Sequence, residues 1–328
     1  MKFRKLGQTS LELSVIGLGT WAIGGTGYRY AWGKQDDDDS VKAIFRALDE
    51  GINWIDTAAV YGLGHAEELI GKMLKGVTDR PFIATKGGRM ALSDGSLYGN
   101  LKRASIRREV EDSLRRLKVD AIDLYQIHWP DPREDIVEAW EEIARIVEEG
   151  DIHYAGVSNF TVEDMERIKD IHPIASLQPP YSMVKRDAEQ DLFPYCAENG
   201  IGVIVYSPMQ KGLLTGAFNL ERAAALPEDD HRRRDPMFHE PQLPIVLDLV
   251  EKLKPIASRN NLTMAQLAIA WTLHRPEVTA AIVGGRNPRQ VEETAPAGDH
   301  VLSQEEIDVI EDLLDIYALS LQSMYASV

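Results

Sequence analysis

The stretch ASIRREVEDSLRRLKVDAIDLYQIH (104–128) holds the building unit of this chain. Its first part, ASIRREVEDSLRRLK (104–118), has the apolar spacing of a helix with a polar face. Its last part, AIDLYQIH (121–128), is a short apolar run that reads as a buried strand. Working outward in both directions, the same pair recurs. Strands are expected at VIGLGT (15–20), INWIDT (52–57), FIATK (82–86), YAGVSN (154–159), ASLQPPYS (175–182), GVIVYSP (202–208) and TAAIVG (279–284). Helical patterns such as SVKAIFRALDEG (40–51) and EDIVEAWEEIARIVEEG (134–150) lie between them, and both end in Gly, as helices often do. The acidic run Asp36–Asp39 before the first of these suits a helix N-terminus.

Eight strands alternating with helices have two solutions, a closed (β/α)8 barrel or an open doubly wound sheet. Near-continuous apolar strands fit either, because both faces of a parallel strand are covered. The count of eight favours the TIM barrel. Residues 2–14 read as a β-hairpin ahead of it, and an extra C-terminal helix follows it. No Pro/Ser-rich linker divides residues 1–328, so a single domain is expected. Gly17-Leu18-Gly19-Thr20-Trp21-Ala22 has the spacing of a dinucleotide fingerprint, but the Gly- and aromatic-rich AIGGTGYRYAWGK that follows is loop, whereas the fingerprint needs a helix there. Residues 210–244 exceed an ordinary βα loop and are expected to overhang one end of the barrel. Within them, Arg232–Arg234 read as solvated loop in preference to a phosphate contact.

Composition narrows the function. A formal charge of −16 disfavours nucleic acid and anionic lipid as partners. The single cysteine, Cys196, excludes an intrachain disulfide and a multi-cysteine metal site, and no metal is expected. No run reaches the ~20 apolar residues of a membrane span. A soluble cytoplasmic protein with a small-molecule substrate is the expectation; oligomeric state is not legible.

Chemistry is concentrated in Asp56, Tyr61, Lys86 and His128. Each lies at or just past the end of an expected strand. In a parallel barrel those ends come together, and active sites gather there. A carbonyl accepting hydride develops negative charge on oxygen, so it needs a proton donor and stabilising dipoles. Tyr61 suits the donor, Lys86 is expected to lower its pKa, Asp56 to hold Lys86, and His128 to orient the carbonyl.

The segments GLGTW (17–21), DTAAVYG (56–62), TKGG (85–88), LYQIHWPD (124–131), GVSNF (156–160), SLQPPYS (176–182), YSPMQKGLLTG (206–216) and IVGGRNPRQVEE (282–293) resemble, in order, the signature segments of the aldo-keto reductase family. The resemblance runs from about residue 3 to 295. It implies an NADPH-dependent carbonyl reductase acting on aldehydes, ketones or sugars, built on an (α/β)8 barrel without a Rossmann motif. It makes Tyr61 the general acid, with Asp56, Lys86 and His128 as its partners. It assigns Gly19, Thr20, Trp21, Ser158, Asn159 and Gln178 to the cofactor, the last three at the nicotinamide carboxamide, with Tyr206 stacked on the ring. It puts Ser207, Pro208, Gln210, Gly212 and Leu213 along the pyrophosphate. Gly284, Gly285 and Arg286 fall at the 2′-phosphate and Gln290 and Glu293 near adenine. Arg286 favours NADP over NAD, since a guanidinium grips two phosphate oxygens. Trp21, Tyr61, His128 and Trp129 would wall the substrate pocket, with Tyr28, Tyr30 and Trp32 as a further wall. Ala217 and Thr294 stand where many relatives have Lys and Asn.

Two other classes share this pattern. One is a cofactor-binding regulatory, channel-associated barrel with little turnover, disfavoured by the lack of a docking tail. The other is a Schiff-base aldolase with Lys86 as nucleophile, disfavoured by Tyr61 beside a nicotinamide site.

Overall fold

A computed structural model describes residues 1–92 and 94–326 of the chain. The chain enters through an antiparallel hairpin, β1 (Phe3–Lys5) with β2 (Glu12–Ser14). Parallel strands β3 (Ile16–Gly19), β4 (Trp54–Asp56) and β5 (Phe82–Gly87) follow. A second hairpin, β6 (Arg89–Ala91) with β7 (Leu97–Gly99), interrupts the series; the sequence reading had no strand there. The parallel series resumes with β8 (Ile122–Ile127), β9 (Ile152–Ser158), β10 (Ser176–Gln178), β11 (Gly202–Tyr206) and β12 (Val278–Gly284). β12 pairs with β3, and the eight parallel strands close into a barrel in chain order.

Helices between the strands cover the barrel, and their ends follow local chemistry. Asp36 caps the helix Asp37–Asp49 by accepting the Asp39 amide. Gly150, in the left-handed region, ends Ile136–Glu149. After β3 the chain makes only a four-residue 3-10 turn, Trp21–Gly24, so the glycines there open no phosphate-binding helix. A helix Gln304–Ala326 follows the last strand. Among the described residues, no helix is long and apolar enough to cross a membrane.

The core has two layers. The larger lies between strands and helices and includes Ile55, Ile83, Tyr125, Trp140 and Trp271. The smaller fills the barrel itself: Trp54, Ala84, Leu124, Ile204, Ala280 and Ile282, with Leu6, Leu11 and Leu13 of the entry hairpin packed against them. Trp54 occupies the space above Gly17, where a Cβ would meet its ring at 2.1 Å. The hairpin therefore plugs the amino end of the barrel, leaving the carboxyl end for chemistry.

Candidate active site

Strand alternation decides which side chains meet at that end, because successive residues point to opposite faces. Inward positions run Trp54, Asp56 on β4; Phe82, Ala84, Lys86 on β5; and Leu124, Gln126, then His128 just past β8. The remaining strands end their inward columns with Gly19, Ser158, Gln178, Tyr206 and Gly284. Seven of the eight strands thus contribute their last inward residue to the lining of one cavity of about 950 Å³, the exception being β5.

Lys86, the last inward residue of β5, lies beneath the lining residues Asp56 and Tyr61, with a side chain 0% exposed. Its ammonium has three protons and meets three acceptors: Asp56 Oδ1 at 2.6 Å, the Thr57 carbonyl at 2.9 Å and the Tyr61 hydroxyl at 3.5 Å. The other Asp56 oxygen accepts from Gln178 Nε2 at 2.8 Å, across the barrel. Burial pushes the Asp56 carboxyl up and the Lys86 amine down, and their mutual contact opposes both shifts.

Tyr61 comes from the turn after β4, with its ring 5.9 Å from that of His128 and 6.4 Å from that of Trp21. Its pKa is driven well above the usual phenol value, first by burial and then by the charge of Asp56. This reverses the sequence expectation that Lys86 lowers it. Asp56 neutralises the ammonium, and desolvation penalises the phenolate more than the residual field favours it. Tyr61 therefore keeps its proton at neutral pH. His128 goes the opposite way: burial, then Lys86 and Arg89, hold it well below the ordinary imidazole value, so it is neutral. Its Nδ1 is buried with no hydrogen-bond partner.

Beside these four lies a polar rack. Tyr206 Oη donates to Asn159 Oδ1 at 2.8 Å. Asn159 Nδ2 donates to the His128 carbonyl and to Ser158 Oγ, both at 3.0 Å, and Ser158 Oγ donates to the Gln178 carbonyl at 2.9 Å. Asn159 adopts φ 61° to do this, a conformation that asparagine tolerates better than most residues.

Other sequence candidates divide. Ser207, Pro208, Gly212, Arg286, Gln290, Glu293 and Trp129 line the cavity, as do Ala217 and Thr294. Tyr28, Tyr30 and Trp32 line it too. Four side-chain positions look elsewhere. Thr20 Oγ1 donates to the Asp56 carbonyl, and Leu213 is fully buried in the outer core. The Gln210 amide sits against Ser182 and Met237, and a Cβ on Gly285 would meet Val291 at 2.7 Å.

Of Arg232–Arg234, which form a short 3-10 turn, Arg233 and Arg234 are exposed, as a solvated segment would be, whereas Arg232 is half-buried. The long connection after β11 folds back across the barrel mouth as short helical turns. Arg232 is paired with Asp230 at 2.6 Å and stacks 4.8 Å from the Trp32 ring centre. Arg233 donates to the Leu226 carbonyl and Arg234 to that of Arg29. His231, absent from the sequence reading, packs against both Trp21 and Trp32, with ring centres 4.6 and 4.7 Å away. Arg89 and Leu97 of the β6–β7 hairpin also reach the cavity. None of the three carries a local sequence signal.

A cleft with a protonated phenol, a neutral imidazole and a buried ammonium–carboxylate pair can donate a proton to an oxygen that is gaining charge. A nicotinamide cofactor fits the rest. Gly284 and Gly212 leave open floor where a Cβ would stand, and Gln178 has an amide oxygen left beside Ser158 and Asn159.

Comparison with known proteins agrees. The model of the Aldo/keto reductase family matches residues 15–315. The aldo-keto reductase YhdN of Bacillus subtilis (strain 168) is 38% identical over 318 residues, covering 96% of this chain and 94% of its own. The NADH-specific methylglyoxal reductase of Escherichia coli (strain K12) is 33% identical over 329 residues, covering 96% and 99%. Among solved structures, the glycerol dehydrogenase AKR11B4 from Gluconobacter oxydans is similar at a TM-score of 0.87 and 37% identity, over 96% of this chain and 95% of that one.

Proposed function

The chain belongs to the aldo/keto reductase family, and from that premise we propose that it reduces aldehydes, ketones or sugars to alcohols with NADPH as hydride donor and Tyr61 as general acid. The observation that carries this reading is the Tyr61 hydroxyl at the cavity floor, 3.5 Å from a Lys86 amine that is itself locked to Asp56. When bound, NADPH supplies the hydride. Ser158, Asn159 and Gln178 would hold its carboxamide and Tyr206 its ring face. Gly212, Ser207 and Pro208 would line its phosphates.

This chain's own groups do the remaining work. His128, being neutral, offers an N–H to the carbonyl oxygen without competing for its proton. Tyr61 holds its proton until that oxygen becomes alkoxide-like, a stronger base than phenolate, and then gives it up. Lys86 stabilises the phenolate left behind, and Asp56 keeps Lys86 in place. The aromatic wall of Trp21, Trp32 and Trp129 excludes water, which strengthens each of these interactions. Arg286 at the cavity edge supports NADPH as the donor.

The test is oxidation of NADPH and of NADH, followed by absorbance, against a panel of aldehydes, ketones and sugars. Turnover on at least one class is expected. Tyr61→Phe should lower it by about 10²–10⁴-fold while cofactor affinity stays within a few-fold. No turnover on any member, or full turnover in Tyr61→Phe, would sink the proposal.

A further inference from the structure

Arg286 lines the cavity, yet its guanidinium is already engaged. Nε donates to Gln35 Oε1 at 2.6 Å, Nη2 to the Lys34 carbonyl, and Nη1 to the Trp32 carbonyl at 3.3 Å. Gln35 and Lys34 thus occupy the Nε–Nη2 edge, one of the two edges on which a guanidinium can grip a pair of phosphate oxygens. Gln35 is bound in both directions, because its Nε2 donates to the Arg286 carbonyl at 2.8 Å and to Ser40 Oγ at 3.0 Å. That second bond fixes which end of the amide faces Arg286. The segment carrying Gln35 is tied down elsewhere as well, through the His231 amide to the Ala31 carbonyl at 3.1 Å and through Arg232 on the Trp32 ring.

We propose that Gln35 is a specificity-determining residue: it competes with the ribose 2′-phosphate of the cofactor for the guanidinium of Arg286, and so weakens the preference for NADP over NAD. The inference rests on the reading of Arg286 given above. A 2′-phosphate can take the Nε–Nη2 edge only if Gln35 releases it, and until then the amide and carbonyl oxygens aimed at Arg286 set partial negative charge where a dianion would bind. A cofactor without that phosphate leaves the three bonds intact.

The experiment is calorimetric binding of 2′,5′-ADP and of 5′-AMP to the whole protein, for wild type, Gln35→Ala, Gln35→Glu and Arg286→Ala. The quantity read is the ratio of the two affinities. Gln35→Ala should raise the ratio in favour of 2′,5′-ADP by about tenfold, the scale of one hydrogen bond to a charged group. Gln35→Glu should lower it at least as far, because a carboxylate holds the guanidinium more tightly and repels phosphate. Affinity for 5′-AMP should stay within about twofold in both, which also reports an intact site. A ratio that falls in Gln35→Ala would show that Gln35 props Arg286 in its binding pose, and would overturn the inference, as would an unmoved ratio. If Arg286→Ala also leaves the ratio at its wild-type value, Arg286 does not read the phosphate, and the NADP assignment falls together with the inference.

Discussion

Two buried groups outside the family signatures show how much single residues set the behaviour of this barrel. Glu109, on the helix Arg103–Leu117, reaches under the end of β5, where its carboxyl accepts the Gly88 amide at 2.9 Å and Ser105 Oγ at 3.2 Å. Burial raises its pKa to about 7. The folded protein therefore holds a proton that the unfolded chain has lost between about pH 4.5 and 7. Its contribution to stability is full below that window, falls as pH rises through it, and is flat above. Glu109→Gln removes the titration while keeping an acceptor and a donor for the same partners. Urea unfolding at pH 5 and pH 8 should show the stability difference between variant and wild type moving by roughly 2 to 3 kcal/mol in favour of the variant at the higher pH. A pH-independent difference would mean that Glu109 is ionised in the fold throughout. Cys196 is the contrasting case: its thiol is fully buried and pushed up to about 12 by desolvation alone, as expected of a small apolar residue.

At the level of elements, the position of Tyr61 is set by two turns pressed against each other. The turn Trp21–Gly24 after β3 and the turn Tyr61–Gly64 after β4 meet at Gly24 and Gly62. A Cβ on Gly24 would lie 2.6 Å from the Gly62 nitrogen and 2.8 Å from the Tyr61 carbonyl carbon. These are backbone atoms and cannot swing aside as a side chain does. Gly24→Ala is expected to displace the Tyr61 turn, lowering turnover by about 10²-fold, since ångström-scale misplacement of a reacting group has effects of that size. Cofactor affinity should change far less, because β9 to β12 are untouched. Paired kcat and binding measurements check this; equal losses in both would point to general unfolding instead.

At the scale of the whole molecule, the two ends of the barrel have separate tasks. Leu6 is 0% exposed and packs with Trp54 at the plugged end, with the whole barrel interior between it and the cavity. Leu6→Ala should lower unfolding free energy by about 2–5 kcal/mol, the range for large-to-small core changes, with kcat per folded molecule unchanged. Denaturant melts beside active-site titration measure both; a matching fall in kcat would show that the two ends are coupled. The same division explains what the sequence made legible. Strand periodicity places Asp56, Lys86 and His128 on inward columns, and a parallel order brings the column ends together. The mutual bonds of Gln35 and Arg286, 251 residues apart, obey no local period, and neither does the seating of His231 between two tryptophans. The raised pKa of Tyr61 escaped for a related reason: it depends on how much water the closed barrel removes, which no spacing encodes.

Three of the six tryptophans, Trp21, Trp32 and Trp129, border the cavity, while Trp54, Trp140 and Trp271 are sealed in the core. The molecule thus carries two sets of intrinsic fluorophores with different sensitivities. Quenching that leaves the emission maximum in place would mark a ligand arriving at the first set, and a red shift would mark water reaching the second.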